Sequence, residues 1–424
     1  MNEPRDLPSS RLGRLARLAT VGARAGASMI GSGDGSSAAK HAAEVLGTLR
    51  GVAAKVGQMA SYVDGVVPEG KREAYEAAMK GLRAQAPRSS PTEIRALVES
   101  ELGAPLERLF ATWDDVPLAS ASIGQVHRAV LEDGREVAVK VQHPGIAKAM
   151  ESDLANAGIL QGFAGLAAGP RIDTKTIFEV IRTRMREELD YRLEGERLAA
   201  FGVIHAGDEQ VRIPTLVPER SSGRVLTSTL AKGLDFDAAC AASVAEREAW
   251  ARTMWRFVFR GTLVGGLLNA DPHPGNYIFH EGGAVTFLDY GCVQTMSEDR
   301  RSRARAVHRA ALAKDEAAFR VAVQRMVDAR EGALEVLASA YTRQCFEPLF
   351  VTPYRMTRPF AASLVAGMTE MAKAAKKVPQ GEYFDMPPDM IFVNRLQFGF
   401  YSVLARLDVE VDYAAEERAF LPAT

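Results

Sequence analysis

Two short stretches concentrate the side chains that could do chemistry. "NADPHPGNYIF" places Asp271, His273 and Asn276 in one turn-rich loop, and "VTFLDYGCV" sets Asp289 before Tyr290 and Gly291. Carboxylate and amide oxygens are the ligands that Mg2+ prefers. An Asp-x4-Asn loop followed by an Asp close to a glycine is the pattern by which phosphoryl-transfer sites orient a nucleophile and hold metal. Pro272 and Pro274 fix φ in the first loop and so hold Asp271 and Asn276 at a set separation. A zinc centre is the competing reading of His273. No second His or Cys stands in register with it, so a hydrogen bond bracing the loop is the expected role.

Phosphate chemistry also needs cations. Lys140 ends "VAVK", which alternates as a half-buried strand should. Acids follow in "EELDYRLEGE", on a helix read as one element from about Thr174 to Phe201. A strand lysine, a helical glutamate, Asp271 with Asn276 and then Asp289 come in the order a kinase requires. Each part is easily matched by chance; the ordered set is not. On one continuous helix, Asp190 and Glu194 share a face and Glu188 points elsewhere. Glu194 is therefore assigned to Lys140, and Glu188 with Asp190 to a second cation. The exchanged pairing of the two glutamates stays open.

The surrounding pattern supplies elements to position these groups. Ser90 with Pro91 opens a helix over "TEIRALVESEL". Alternating apolar residues flank Asp133-Gly134, a hairpin signal, and short strands return near "RIPTLVPERSSGRVLTSTL". From Val244 onward the pattern is mostly helical. Thr295 and Glu298 read as a capping box for one helix over "SEDRRSRARAVHRAALAKDEAAF". The expected organisation is a basic segment over 1–40, a helical extension over 41–110, a β-rich piece with inserted helices over 111–232 and a helical piece over 233–424.

Composition narrows the class. Of 424 residues, 47% are hydrophobic and 25% charged, the balance of a globular protein, and the net charge of −1 gives no electrostatic case for nucleic acid. Three cysteines, Cys240, Cys292 and Cys345, form no paired motif, which favours a reducing compartment. The apolar run "LANAGILQGFAGLAAG" is interrupted by Asn156 and Gln161 and reads as a packed helix, not a span. "RLGRLARLATVGARAG" carries four arginines and lacks the apolar core of a secretory signal. A solvated basic face is expected there, with a membrane-surface helix or a targeting segment as the alternatives. Cytoplasmic placement follows, with peripheral membrane contact left open.

Over roughly residues 45–300 the chain resembles the UbiB-type atypical kinases, a family tied to ubiquinone biosynthesis. "AAKVGQMAS" resembles its K-x-G-Q signature through Lys55, Gly57 and Gln58. "PLASASIGQVH" looks like the alanine-rich loop that replaces a glycine-rich one, and "EELDYRLEGE", "ADPHPGN" and "LDYG" look like its acidic helix, catalytic loop and metal loop. The resemblance implies an α+β, protein-kinase-like bilobal fold with a β-rich N-lobe, a helical C-lobe and an N-terminal extension lying across the active site. It implies ATP as ligand, with Mg2+, or Mn2+ in its place, held by Asn276 and Asp289. Lys140, Glu194, Glu188 and Asp271 would be catalytic; Ala119, Ser120, Ala121, Ser122, Ile123, Gly124 and Lys140 would bind nucleotide. Glu188 and Asp190 would face Lys55 in a regulatory arrangement. An alanine Cβ holds the backbone further from phosphate than glycine would. Isoprenoid lipid or a quinone precursor becomes the expected partner, and protein substrates in trans are disfavoured, the more so because no long segment or A-P-E motif follows "LDYG". The alternative is a nucleotide-sensing lipid-binding or assembly module with negligible phosphoryl transfer. Three positions depart from the family pattern: Tyr290 where Phe is commoner, Asn269 where a His often stands, and Thr229 where a hinge Glu is usual.

Overall fold

The computed structural model describes residues 89–120, 123–151, 174–375, 377–378 and 390–422. The first helix, α1 (Pro91–Leu102), begins at a reciprocal cap. The Glu93 N–H donates to Ser90 Oγ, and the Ser90 N–H donates to the Glu93 carboxylate. It ends at Gly103, whose φ of 73° lies in the left-handed region. A short helix α2 (Leu106–Leu109) leads into a five-stranded antiparallel sheet. Its strands are β1 (Thr112–Trp113), β2 (Ala119–Ser120), β3 (Gly124–Val130), β4 (Glu136–Gln142) and β6 (Val225–Thr229), in the order β1-β3-β4-β6 with β2 also on β3.

Asp133-Gly134 turns the β3–β4 hairpin, with Gly134 at φ 85°. Alternation along β4 sends Val137, Val139 and Val141 into a core shared with Ile94, Val98, Leu106 and Phe110. Lys140 therefore emerges on the opposite face. Packing is continuous from α1 into the sheet, across residue 110.

The acidic segment is not the single helix that periodicity suggested. It divides into α3 (Thr174–Glu187) and α4 (Tyr191–Ile204). Asp190 takes an extended conformation and caps α4, its carboxylate accepting from the Arg192 N–H. The Tyr191 N–H donates to the Gly223 carbonyl beside β6, which draws the chain out of helical register. The face argument for Glu188, Asp190 and Glu194 fails because the break falls among them.

Beyond the sheet, α5 (Phe236–Cys240) precedes α6 (Val244–Leu263), which carries Trp250, Met254, Trp255 and Leu263 into the largest core. Small β-elements sit against α6. β7 (Leu267–Asn269) pairs antiparallel with β10 (Val293–Thr295). β8 (Tyr277–Phe279) pairs antiparallel with β9 (Val285–Phe287), and β5 (Val211–Arg212) joins β9 in parallel. Helices α7 (Glu298–Leu312), α8 (Glu316–Met326), α9 (Ala333–Cys345), α10 (Glu347–Phe350), α11 (Arg358–Ala375), α12 (Met390–Leu407) and α13 (Tyr413–Phe420) complete the chain, with β11 (Tyr354–Arg355) paired to β12 (Glu410–Val411). The cap of α7 is Ser297, which accepts from the Arg300 N–H, because Thr295 is spent as the last residue of β10. The long helical run after it also divides, at Lys314 (φ 56°) and the capping Asp315.

Glu417 fastens three of these helices. It is fully buried, accepts from Trp255 Nε1 at 3.1 Å and lies 2.7 Å from His308 Nδ1. Glu417→Ala strands both partners in the core and is expected to cost about 3 kcal/mol. Urea unfolding checks it: a loss under about 1 kcal/mol would remove Glu417 from this role.

Candidate active site

Lys140, two-thirds of the way along β4, reaches Glu194 on the first turn of α4. Its Nζ lies 2.7 and 3.0 Å from the two Glu194 oxygens and 3.6 Å from Asp289 Oδ2. Glu194 is buried and the lysine side chain only 18% exposed, so the pair sits in a medium where charge is costly. Burial by itself would lower the Lys140 pKa, but the charges of Asp289 and Glu194 outweigh it and hold the ammonium well above its ordinary value. Burial pushes Glu194 up; Lys140 opposes that push, while Asp289 and Glu188 add to it. The Tyr191 ring lies beneath the ammonium, 5.1 Å from ring centre to Nζ.

Gly291 lies where the acids converge. A Cβ placed on Gly291 would stand 3.3 Å from Asp289 Oδ1, 3.7 Å from Glu194 Oε2 and 4.0 Å from Glu188 Cγ. Glu188 is buried beside this point, whereas Asp190 is exposed at its cap. Two arginines secure the arrangement from behind. Arg197 donates to the Gly291 carbonyl at 3.0 Å and Arg184 to that of Val293 at 3.2 Å, and both also bind Glu187.

The Asp271 loop folds on itself. His273 N–H donates to the Asp271 carbonyl, Asn276 Nδ2 donates to the same carbonyl at 3.1 Å, and His273 Nδ1 accepts from the Gly275 N–H. Asn269 then joins the two loops: its Nδ2 donates to the Asp289 carbonyl at 2.8 Å and its Oδ1 accepts from the Asp271 N–H at 3.2 Å. Asp271, Asn276 and Asp289 line one small cleft. With the Asn276 amide nitrogen engaged by the loop, its oxygen is the atom left for a cation. Among the described residues no group of three His, Cys, Asp or Glu side chains is placed to hold a metal. One carboxylate and one amide oxygen in a shared cleft nonetheless fit Mg2+, a hard ion that keeps waters and completes its shell with substrate phosphate.

Other singled-out residues fall differently. Ala119 and Ser120 form β2, opposite Val126 and Gln125. Ile123 is buried with Ile146, Met150, Tyr191 and Leu226. Gly124 is required by packing, since a Cβ there would lie 2.5 Å from the Val141 carbonyl oxygen and 2.7 Å from the Tyr191 hydroxyl. Tyr290 is fully buried and donates to the Phe287 carbonyl at 2.9 Å. Thr229 closes β6, its hydroxyl accepting from the Thr215 N–H. Ala121, Ser122 and the Lys55, Gly57 and Gln58 motif lie outside the described residues, and with them any contact between Lys55 and Asp190. Sequence reasoning missed Tyr191 and Arg197, and took Gly291 only as the glycine of the metal-type motif. It noticed Asn269 only as a departure. Nothing local in the sequence signals their roles, except that Gly291 follows the metal-type aspartate.

A sheet lysine paired to a helical glutamate, facing an Asp-x4-Asn loop and a second aspartate, is the arrangement of kinase-like domains. The family profile described as ABC1 atypical kinase-like domain matches residues 81–322, and the chain belongs to that family. It is 32% identical over 257 residues to rat "Atypical kinase COQ8B, mitochondrial", covering 60% of this chain and 47% of that protein. It is 29% identical over 253 residues to the yeast "Atypical kinase COQ8, mitochondrial" from Saccharomyces cerevisiae, covering 59% of this chain and 50% of that protein. The chain thus spans about half the length of these curated relatives. The solved structure of the Mycobacterium tuberculosis protein Rv3197 in complex with erythromycin superposes with a TM-score of 0.60 at 26% identity, covering 89% of this chain and 94% of that one.

The Asn269 bridge makes a prediction that needs no assay of function. Asn269→Ala should expose the Asp271 amide to faster hydrogen exchange and cost about 1–2 kcal/mol. Asn269→Asp keeps the acceptor for Asp271 N–H and should preserve that amide's protection while losing the bond to Asp289. Equal exchange in all three proteins would remove the bridge.

Proposed function

We propose that this chain is an ATP- and Mg2+-dependent atypical kinase or ATPase that supports isoprenoid quinone or lipid metabolism. The observation that carries the reading is the Lys140 ammonium held between Glu194 and Asp289, with the Asp271 loop braced against the Asp289 loop by Asn269. In this reading the sheet and helical regions are the two lobes of a kinase-like fold, and Lys140 binds nucleotide phosphate. Glu194 fixes the position of the ammonium. Asp271 orients the attacking oxygen or takes its proton. Asn276 and Asp289 would hold Mg2+, which when bound neutralises phosphate charge.

Two features support chemistry other than phosphorylation of proteins in trans. Only residues 292–297 separate Gly291 from α7, and they include β10, so no long peptide-docking segment follows the metal-type aspartate. The K-x-G-Q stretch, Lys55 to Gln58, would lie across the cleft if it behaves as the family resemblance implies. An atypical-kinase role accords with the names of the relatives. Among the described residues no helix is long and apolar enough to cross a membrane; the membrane contact proposed here is peripheral.

The test is phosphate release from Mg2+-ATP by the full chain, with and without liposomes. Turnover is expected, Asp289→Asn and Lys140→Met should each lower it about a hundredfold or more, and liposomes should stimulate it. A nucleotide-dependent rise in thermal stability without turnover would replace this reading with a nucleotide-sensing binding module.

A further inference from the structure

A chain of buried polar groups runs behind the five-stranded sheet, on the side away from Lys140. Resting on the nucleotide reading of the cleft, we propose that Gln125 and His127 are positioning residues for nucleotide binding. They tie the Ser120, Ile123 and Gly124 end of the segment that resembles a nucleotide-binding loop to the chain entering α1. Val126 stands opposite Lys140 in the β3–β4 ladder, so Gln125 and His127, one position to either side, project from the other face of the sheet. From there they act through the backbone they hold.

Both side chains are buried. The Ser89 N–H donates to Gln125 Oε1 at 3.0 Å. Gln125 Nε2 lies 2.8 Å from His127 Nε2, and His127 Nδ1 lies 2.8 Å from the Asp114 carbonyl oxygen. The two ends of this chain are backbone groups with fixed roles, because an N–H only donates and a carbonyl only accepts. Gln125 therefore turns its oxygen to Ser89 and its NH2 to His127. The imidazole must be neutral, with its proton on Nδ1 and its lone pair on Nε2. Burial favours that neutral form and lowers the His127 pKa, against the opposing pull of the Asp114 carbonyl and the Asp115 and Asp114 carboxylates. Trp113 stacks on the ring, centroids 4.7 Å apart, and fixes its plane. A single arrangement of protons satisfies the chain from Ser89 to Asp114.

The bonds that hold the loop at this end converge on Gln125 and Ser89. Ser120 of β2 pairs with Gln125. The His143 N–H donates to the Ile123 carbonyl at 2.9 Å, and His143 Nδ1 lies 2.9 Å from Ser89 Oγ. Ser89 thus meets both the start of β3 and the residue after β4, and its neighbour Ser90 caps α1. A shift of this chain relative to β3 must carry Gln125 with it or leave the Ser89 N–H and the buried Gln125 oxygen unpaired.

The experiment compares Gln125→Met and Gln125→Glu with the wild type in the full chain. Heteronuclear NMR reads the His127 tautomer, hydrogen exchange reads the Ser89 and His143 amides, and calorimetry reads Mg2+-ATP binding. The wild type should show neutral His127 with the proton on Nδ1 at neutral pH. Gln125→Met should speed exchange at Ser89 and His143 about tenfold or more. It should leave the Thr227 amide of β6, which donates to Ser221 Oγ, unchanged. It should also weaken Mg2+-ATP about three- to tenfold, the worth of one hydrogen bond. Gln125→Glu keeps the acceptor for Ser89, so that amide should stay protected, the His127 pKa should rise, and ATP should bind more tightly than to Gln125→Met. Where Gln125→Met does not fold, Ser89→Pro, which removes the N–H that Gln125 accepts, serves in its place. A wild-type His127 that is charged or protonated on Nε2 would overturn the network, and equal acceleration at Thr227 would reduce it to general stability. ATP bound equally by the wild type and Gln125→Met would overturn the inference drawn here alone. No ATP binding by the wild type would overturn the nucleotide reading itself, and this use of the tie with it.

Discussion

Everything near the cleft is organised around one half-buried ammonium set between carboxylates. Lys140 answers Glu194 directly and Asp289 at longer range, with Glu188 buried close by. In a low-dielectric pocket the lysine stays charged because two carboxylates more than repay its desolvation. Gly291 passes beside this cluster, where a Cβ would stand 3.3 Å from Asp289 Oδ1.

Holding that cluster requires the loops to be tethered from more than one side. Asn269 does this from β7 with a donor and an acceptor on one short side chain, so the two loops cannot separate without losing two hydrogen bonds. Arg184 and Arg197 do it from the acidic helices, each reaching a carbonyl of the Asp289 loop while sharing Glu187. These tethers are polar and directional, whereas the helices behind them are held by an aromatic core around Trp255, Phe257 and Phe400. Rigidity comes from the core, and aim comes from the hydrogen bonds.

Position 269 also shows how a departure from a family pattern can be accommodated. In the pattern that the sequence resembles, a histidine often stands there. Asparagine offers a donor and an acceptor at nearly one point, and both are used. Gly124 carries a similar lesson: within a loop that resembles a phosphate-binding segment, its lack of a side chain is demanded by the Val141 carbonyl and the Tyr191 hydroxyl.

By itself the sequence determined what short-range chemistry determines. The Ser90 cap, the Asp133-Gly134 hairpin, the alternation along β4 and the compact Asp271 loop each depend on residues a few positions apart, and they form where the pattern indicates. Motif order also made Lys140, an acid of the "EELDYRLEGE" segment, Asp271, Asn276 and Asp289 legible as candidates before any fold was known. Tertiary structure decided which acid meets the lysine. Periodicity assumed one helix, but the Asp190 cap and the Tyr191 bond to Gly223 break it, and the second half is turned so that Glu194 reaches Lys140. The shift of the α7 cap to Ser297 has the same origin, since pairing of β10 with β7 takes Thr295 for the sheet. In each case a partner distant in sequence competes with a local preference worth only about a kilocalorie per mole, and the distant partner prevails.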